Sequence, residues 1–552
     1  MRALPVTLRA LQARTGLRRV LVAYGLYGLV EFSIWLAVIL YVFAADGART
    51  AGVVTVIQLV PASMLAPALA AIGDRLPRGR ALALAYAGVT ATVTLTLIAI
   101  LASAPLPLVV AASTTATVAV AVVRPIHFAA LPQLSRTSDH LVSANSLSSV
   151  LDGVAAFLGP VLAGFGAAYA GPWLVFAGAA IAAAVATLLS SGLHLGRAAA
   201  DEEADGWRAA FQGLRSLRGD WPALTLLVLL TTTFFLAGAL DVLGVAFSVD
   251  TLHHGQSGAG LVVGAIGIGG LVGAAAAALI ARRRRLGPAI VLLGVAEGAG
   301  FAVVSVVSGL GAAMVVIALV GAAEAMLMVC GRTLLQRAID DAVLARVFAV
   351  QEGMSLVGLA VGAASVSLLL GWLDPAQTFV PLGAGAVALA LGSAWFIRRL
   401  DDRAVYLPYE IRLLRTVGFL AVLPEFELER LARNARWTEV TAGTDVVVQG
   451  EDAQDFYVIA DGLFTVTVDG VARPQTLAPG HAFGEVALLR SVPRTATVTA
   501  RSPARLLVLS GADFLAAVTG SADGHALASE VADAHRARDL ASALRQEPPS
   551  GS

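Results

Sequence analysis

The stretch FGEVALLRSVPRTATVTA, residues 483–500, is polar and turn-rich, and it reads as a pocket for a small anion. A second kind of chemistry lies upstream, in carboxylates set in strongly apolar sequence: Glu31, Asp152, Asp241, Glu297 and Glu324. An ionisable side chain inside a membrane span is costly, so each is a functional candidate by default. A carboxylate facing a low-dielectric cavity is easier to protonate, which suits a coupling site for proton-driven transport. The competing account of each acid is a structural pairing with an arginine.

Those acids belong to a chain of 552 residues that is 57% hydrophobic and 14% charged, with a mean hydropathy of +0.79. A soluble chain carries about a quarter charged residues. Two regimes lie behind the average. Up to about residue 398, apolar runs alternate with short polar gaps; beyond it the composition is that of a soluble domain. Twelve apolar segments can be placed at 18–45, 50–73, 81–103, 106–131, 141–169, 172–195, 221–250, 257–281, 288–309, 312–334, 346–372 and 375–398. Each is near the ~20 residues that cross the hydrocarbon. At 1.5 Å per residue, Glu31, Asp152 and Glu324 lie ~16–20 Å into their segments, near the midplane. Asp241 is closer to the outer end, and Arg124, Arg332 and Glu352 to the inner end.

Charge fixes the orientation. Arginines crowd the N-terminus, the gaps after segments two, four, six, eight and ten, and the tail. The alternate gaps hold Arg49 with Asp46, Asp250 and Asp374. The positive-inside rule places both termini in the cytoplasm. The apolar run after the Arg-rich N-terminus is too long for a signal peptide and reads as an uncleaved first span. The longest gap, containing DEEADG, divides the spans into halves at about 18–195 and 221–398. An echo supports the division: Arg124 and Arg332 each precede a short polar loop and a helix rich in small residues. Two related six-helix halves are what an alternating-access carrier needs.

Several functions are excluded or disfavoured. Net charge is zero, so no global electrostatic case for nucleic acid exists. All 38 Lys+Arg residues are arginine, which reads as codon bias in a GC-rich bacterial genome. The single Cys330 excludes disulfides and cysteine metal sites. No HExxH and no ATP-binding loop occur, so no enzyme is expected in the membrane and transport would be secondary. GAIGIGG, residues 264–270, lies inside a span, where small residues let helices pack closely.

In the tail, RLLRTVGFLAVLPEFELERLARNA predicts two short helices around a proline. TDVVVQGE, DFYVIADG, LFTVTVDG, TATVTA and RLLVLS then predict short strands, with glycines at the turns. GADFLAAV and ASEVADAHRARDLASAL read as closing helices and EPPSGS as a disordered end. The organisation expected is a membrane domain over 1–398, a linker over 399–415, a β-roll with flanking helices over 416–545 and a tail over 546–552.

IGDRLPRGR, residues 72–80, resembles the loop motif between helices two and three of the major facilitator superfamily. RPIHFAALPQL and ANSL…GPVLAG are similar to its fourth and fifth helices, particularly in the efflux branch. One departure is Ala70, where the family usually has glycine four residues before the acid. The resemblance implies an α-helical membrane protein of twelve transmembrane helices in two six-helix halves. It also implies that Asp74 latches the halves at the cytoplasmic side, with Arg75 and Arg78 holding the loop and Arg124 as partner of Asp74. In the resembled fold the spans of Glu31, Asp152 and Glu324 surround the central cavity, and that of Glu297 is peripheral. Glu31 is the first candidate for proton or substrate coupling, followed by Glu324 and Asp152, then Asp241.

The opening stretch, with AG…QGE…DFYVI…G upstream, resembles the phosphate-binding cassette of cyclic-nucleotide-binding domains. By that resemblance Phe483 and Gly484 begin the cassette, and Gly484 lets backbone approach the sugar-phosphate. The N–H groups near Val486 and Ala487 face the phosphate, Glu485 accepts the ribose 2′-hydroxyl, and Arg494 neutralises the charge. Thr495 stands where many cAMP-binding members have alanine, and its hydroxyl can help bind guanine; cAMP is expected ahead of cGMP. The ligand is regulatory, and no cofactor or metal is implied. The combined expectation is a proton-coupled exporter of an unknown small organic or lipophilic substrate in a bacterial cell membrane, governed by cytoplasmic cAMP. Two alternatives are a membrane receptor that does not transport and a carrier of the cyclic nucleotide itself.

Overall fold

The computed structural model describes residues 15–193 and 217–519 apart from 75, 135–137, 282, 340, 405–406 and 424, together with 195, 215, 528 and 530. The chain divides into two compact units, Met1–Ser135 with Ser143–Ala404, and Arg136–Val142 with Val405–Ser552. DEEADG and the stretch from 531 onward lie outside the described residues.

The first unit is helical: α1 (Thr15–Asp74), α2 (Arg78–Leu101), α3 (Leu106–Leu134), α4 (Ser138–Ala170), α5 (Pro172–Ser190), α6 (Trp221–Ala246), α7 (Gly255–Ala281), α8 (Gly287–Val303), α9 (Leu310–Ala338), α10 (Asp341–Leu369) and α11 (Pro375–Arg403). Among the described residues, eleven helices are long and apolar enough to cross a membrane. Twelve segments become eleven helices because α1 holds the first two. They meet at an elbow where Asp46 (φ −147°) and Gly47 (φ +78°) leave helical geometry. Gly47 takes a backbone conformation that costs other residues energy. Proline stands in the first turn of α5, α6, α8 and α11, where its missing N–H breaks no helical bond.

These helices are apolar on every side, as hydrocarbon requires. Leu188, Leu279 and Leu368 are exposed, while Tyr24, Tyr27, Tyr86, Phe247, Phe301 and Phe379 are buried. The glycines of GAIGIGG pack closely: a Cβ on Gly264 would lie 2.8 Å from the Phe157 carbonyl, and one on Gly267 2.6 Å from the Phe157 nitrogen. Close helix packing accounts for that motif.

The second unit begins with α12 (Pro408–Thr416), α13 (Gly418–Ala421) and α14 (Glu425–Asn434). Helix α11 runs to Arg403 and α12 starts at Pro408, so the stretch read as a linker is largely helical. Eight strands follow: β1 (Arg436–Val440), β2 (Asp445–Val447), β3 (Asp455–Asp461), β4 (Phe464–Val468), β5 (Val471–Leu477), β6 (Ala482–Phe483), β7 (Thr497–Ala500) and β8 (Ala504–Ser510). Helix α15 (Glu485–Arg490) interrupts them and α16 (Gly511–Thr519) follows. The strands form two antiparallel four-stranded sheets, ordered β1-β8-β3-β6 and β2-β7-β4-β5. Ile459, Phe464, Phe483, Val498 and Leu506 fill the space between them. A second core, with Phe419, Phe456 and Phe514, seats the helices on the sheet containing β3.

Candidate functional site

The cassette forms where β6 ends and α15 begins. Gly484 takes φ +98°, which reverses the chain between them. A Cβ there would lie 2.8 Å from Arg494 Nη1 and 3.1 Å from the Asp455 carbonyl oxygen, so conformation and space both demand glycine. Glu485, Val486 and Ala487 are buried in the first turn of α15. Backbone N–H groups there have no carbonyl within the helix to bond. Phe483 is fixed by stacking on Tyr457, ring centroids 4.9 Å apart at 11°.

Arg494 lies across this turn. Its Nη1 donates to the Gly484 carbonyl at 3.1 Å and its Nη2 to the Asp455 carbonyl at 2.7 Å. The backbone at 494 is pinned on both sides: Arg494 N donates to the Glu451 carbonyl at 2.8 Å, and Gly450 N to the Arg494 carbonyl at 2.9 Å. The Asp455 carboxylate pairs with Arg436 instead. Burial pulls the Arg494 guanidinium below its usual range, against the favourable fields of Tyr457 and Asp455. Among the described residues Arg494 thus bonds carbonyls and no carboxylate. Thr495 is half-buried beside it.

In the membrane unit, Glu31 of α1, Arg124 of α3 and Asp152 of α4 meet. Arg124 Nη2 lies 2.8 Å from Glu31 Oε2 and Nη1 lies 3.0 Å from Asp152 Oδ2. This corrects the expectation that Arg124 serves Asp74: both of its terminal nitrogens are held by Glu31 and Asp152. Asp74 ends α1, and its side chain, like Arg75, lies outside the described residues. Arg78 is buried at the start of α2.

Tyr24 Oη donates to Asp152 Oδ2 at 3.1 Å, and the Tyr24 ring stacks on His127 at 3.8 Å. The acids of the other half are served differently. Asp241 Oδ2 accepts from Trp35 Nε1 at 2.8 Å, which ties α1 to α6. Glu297 is 3% exposed, and its Oε1 has no hydrogen-bond partner among the described residues. Arg332, the counterpart of Arg124 in the internal echo, is exposed.

Tyr24, Trp35, Asp455 and Tyr457 were not singled out from the sequence. A signal existed for the first: residues 24, 27 and 31 recur on one helical face, so Tyr24 and Tyr27 share the face of Glu31. Nothing local marks Trp35 or the carbonyl of Asp455.

A family model described as Major Facilitator Superfamily matches residues 20–363, and one described as Cyclic nucleotide-binding domain matches residues 437–520. The chain is 33% identical over 141 residues to a cAMP-dependent protein kinase regulatory subunit of Eremothecium gossypii, covering 24% of this chain and 31% of that one. A regulatory subunit of the same description from Yarrowia lipolytica is 33% identical over 142 residues, covering 24% and 38%. The chain thus spans about a third of the length of these curated relatives. Among solved structures, the regulatory domain of Toxoplasma gondii PKA co-crystallised with cAMP matches at 32% identity over 20% of this chain and 43% of that one, with a TM-score of 0.19.

Proposed function

Because this chain belongs to the Major Facilitator Superfamily and carries a cyclic nucleotide-binding domain, we propose that it is a secondary active transporter regulated by cyclic nucleotide. Its ligand is cAMP in preference to cGMP, and its cargo a small organic or lipophilic compound exported at the expense of the proton gradient. It lies in a bacterial cell membrane with the nucleotide-binding domain in the cytoplasm. The observation that carries the reading is the Arg494 guanidinium, held over the 484–487 turn by two neutral carbonyls. A cyclic phosphate has one negative charge and accepts forked contacts from a guanidinium. Glu485, at the start of the same turn, accepts the ribose hydroxyl.

Binding alters transport only if the nucleotide prefers one conformation of the carrier. A coupling of about 1–3 kcal/mol changes activity about 5–150-fold. In the membrane unit, Glu31, Asp152 and Arg124 form the coupling site: two carboxylates share one guanidinium, so a proton on either leaves a neutral pair. Glu324 and Asp241 are secondary candidates. Asp74, Arg75 and Arg78 form the cytoplasmic latch.

The test is an export screen in cells with and without cAMP, followed by flux of the compound found in vesicles under an imposed pH gradient. Glu31→Gln is expected to abolish the dependence on the gradient while expression is retained. Unchanged proton-driven flux would move the coupling role to Asp152 or Glu324. A protein that binds no cyclic nucleotide in calorimetry would end the sensor reading and leave the transporter reading standing.

A further inference from the structure

The last turn of α11 is fastened to the membrane unit at several points. The Asp401 carboxylate accepts from the backbone N–H of Leu286 at 3.0 Å, just before α8 begins, and Asp401 is 8% exposed. An anion there also suits the positive end of the helix. Its other oxygen lies 3.1 Å from where a Cβ on Gly287 would stand, so the fit is close. Arg403 Nη1 reaches Asp220 Oδ1 at 3.1 Å, and that same oxygen accepts from Ala223 N to cap α6. Asp402 pairs with Arg285 at 3.3 Å, though both are well exposed and such pairs are worth little in water. Leu400 packs in one buried cluster with Leu217, Ala223 and Leu286. From the other side, Arg337 of α9 donates to the carbonyls of Ala281 and Arg283.

The start of the second unit is fastened as firmly to the barrel. Trp437 Nε1 donates to Glu410 Oε1 at 3.1 Å, Tyr409 stacks on the same indole, and Arg505 lies over it at 4.1 Å. At the far end of α12, the Thr416 hydroxyl shares its proton between the carbonyls of Leu413 at 2.6 Å and Gly480 at 3.2 Å. Gly480 is the turn residue four positions before Gly484, where the cassette begins. Residues 404–408 alone separate these two sets of anchors. The six Cα steps from Arg403 to Tyr409 reach at most about 20 Å.

We propose that residues 401–403 are where nucleotide binding enters the membrane unit, by way of the Gly480 turn, Thr416, α12 and the short 404–408 connector. The inference rests on the sensor reading above and specifies its route. Because Asp401 and Arg403 each hold the start of a different helix, a displacement at residue 404 moves α6, α8 and α11 together. Bending of α11 alone would leave the Leu286 N–H without its acceptor and the Asp220 carboxylate without Arg403. Thr416, Asp401 and Arg403 are positioning residues and touch no ligand.

The experiment is hydrogen exchange on the full chain in lipid nanodiscs with and without cAMP, read at peptides covering 220–224 and 281–287. In the wild type, cAMP is expected to change exchange at both. Three variants are expected to lose that response while binding cAMP within about threefold of wild type, a difference below the ~1.4 kcal/mol that marks tenfold. They are Asp401→Ala with Arg403→Ala, Thr416→Val, and a ten-residue Gly/Ser insertion after Ala404. Thr416→Ser is expected to restore it. The insertion leaves every anchor intact, so it stays informative if the double substitution fails to fold. Binding by the wild type without change at either peptide would overturn the route alone, as would an insertion variant that responds like wild type. Absence of binding would overturn the sensor reading, and the route with it.

Discussion

Arg124 is partly exposed and Arg494 buried, and both use their terminal nitrogens, yet their electrostatics are opposite. Arg124 spends its charge on Glu31 and Asp152. Arg494 donates to two carbonyls, which orient the guanidinium without cancelling it. On the proposed function, the membrane arginine is then half of an internal balance that a proton can tip, and the cassette arginine a charge held for an external anion. What an arginine is bonded to separates the two roles, and its presence in a motif does not.

The widest test of that contrast is Arg494→Ala, which removes the guanidinium proposed to meet the phosphate. Loss of one side of a buried charge pair costs about 2–5 kcal/mol, so cAMP affinity is expected to fall about 30- to several-thousand-fold. Calorimetry on the full chain reads it, and a loss under about threefold would break the comparison. Arg124→Ala leaves two acids facing each other with no cation. Breaking a fully buried pair costs 3–5 kcal/mol, and with Arg124 about 38% exposed the expectation is nearer 2 kcal/mol. Thermal unfolding in detergent measures this; adding Glu31→Gln and Asp152→Asn should return most of it, and a triple variant no more stable than the single would count against the balance. Glu485→Ala removes one hydrogen bond to a sugar hydroxyl and is expected to cost about 0.5–1.5 kcal/mol of cAMP affinity. A cost equal to that of Arg494→Ala would mean that the acid holds the turn itself. Smallest is Arg332→Ala: its exposed side chain predicts a stability change within about 0.5 kcal/mol. A large effect there would restore the equivalence with Arg124 that the sequence echo implied.

Local features were readable and distant pairings were not. The spans follow from runs of apolar residues, and the strands of the second unit from alternation and glycine turns, so their existence was plain before any coordinates. The cassette was readable because Gly484, Glu485 and Arg494 lie within eleven residues and their chemistry is local. The partners of the membrane acids were not, because Tyr24 meets Asp152 across 128 positions and Trp35 meets Asp241 across 206. Arg124 was given to Asp74 on family resemblance, whereas Glu31 of α1 and Asp152 of α4 meet it well inside α3. The stretch from 399 looked like a connector because charges replace apolar residues there. In the structure those charges close α11 by bonding neighbouring helix starts, a role that composition does not display.

The elbow at Asp46–Gly47 sets how closely the first two crossings are tied. Only two non-helical residues separate the two helical arms of α1, so neither arm can slide along its axis without pulling on the other. Glu31 lies in the first of those arms. Gly47, at φ +78°, is the hinge between them. Replacing it with a residue bearing a Cβ would force that side chain into a backbone conformation that is essentially confined to glycine, at about 1–3 kcal/mol, and so loosen the tie between the two arms.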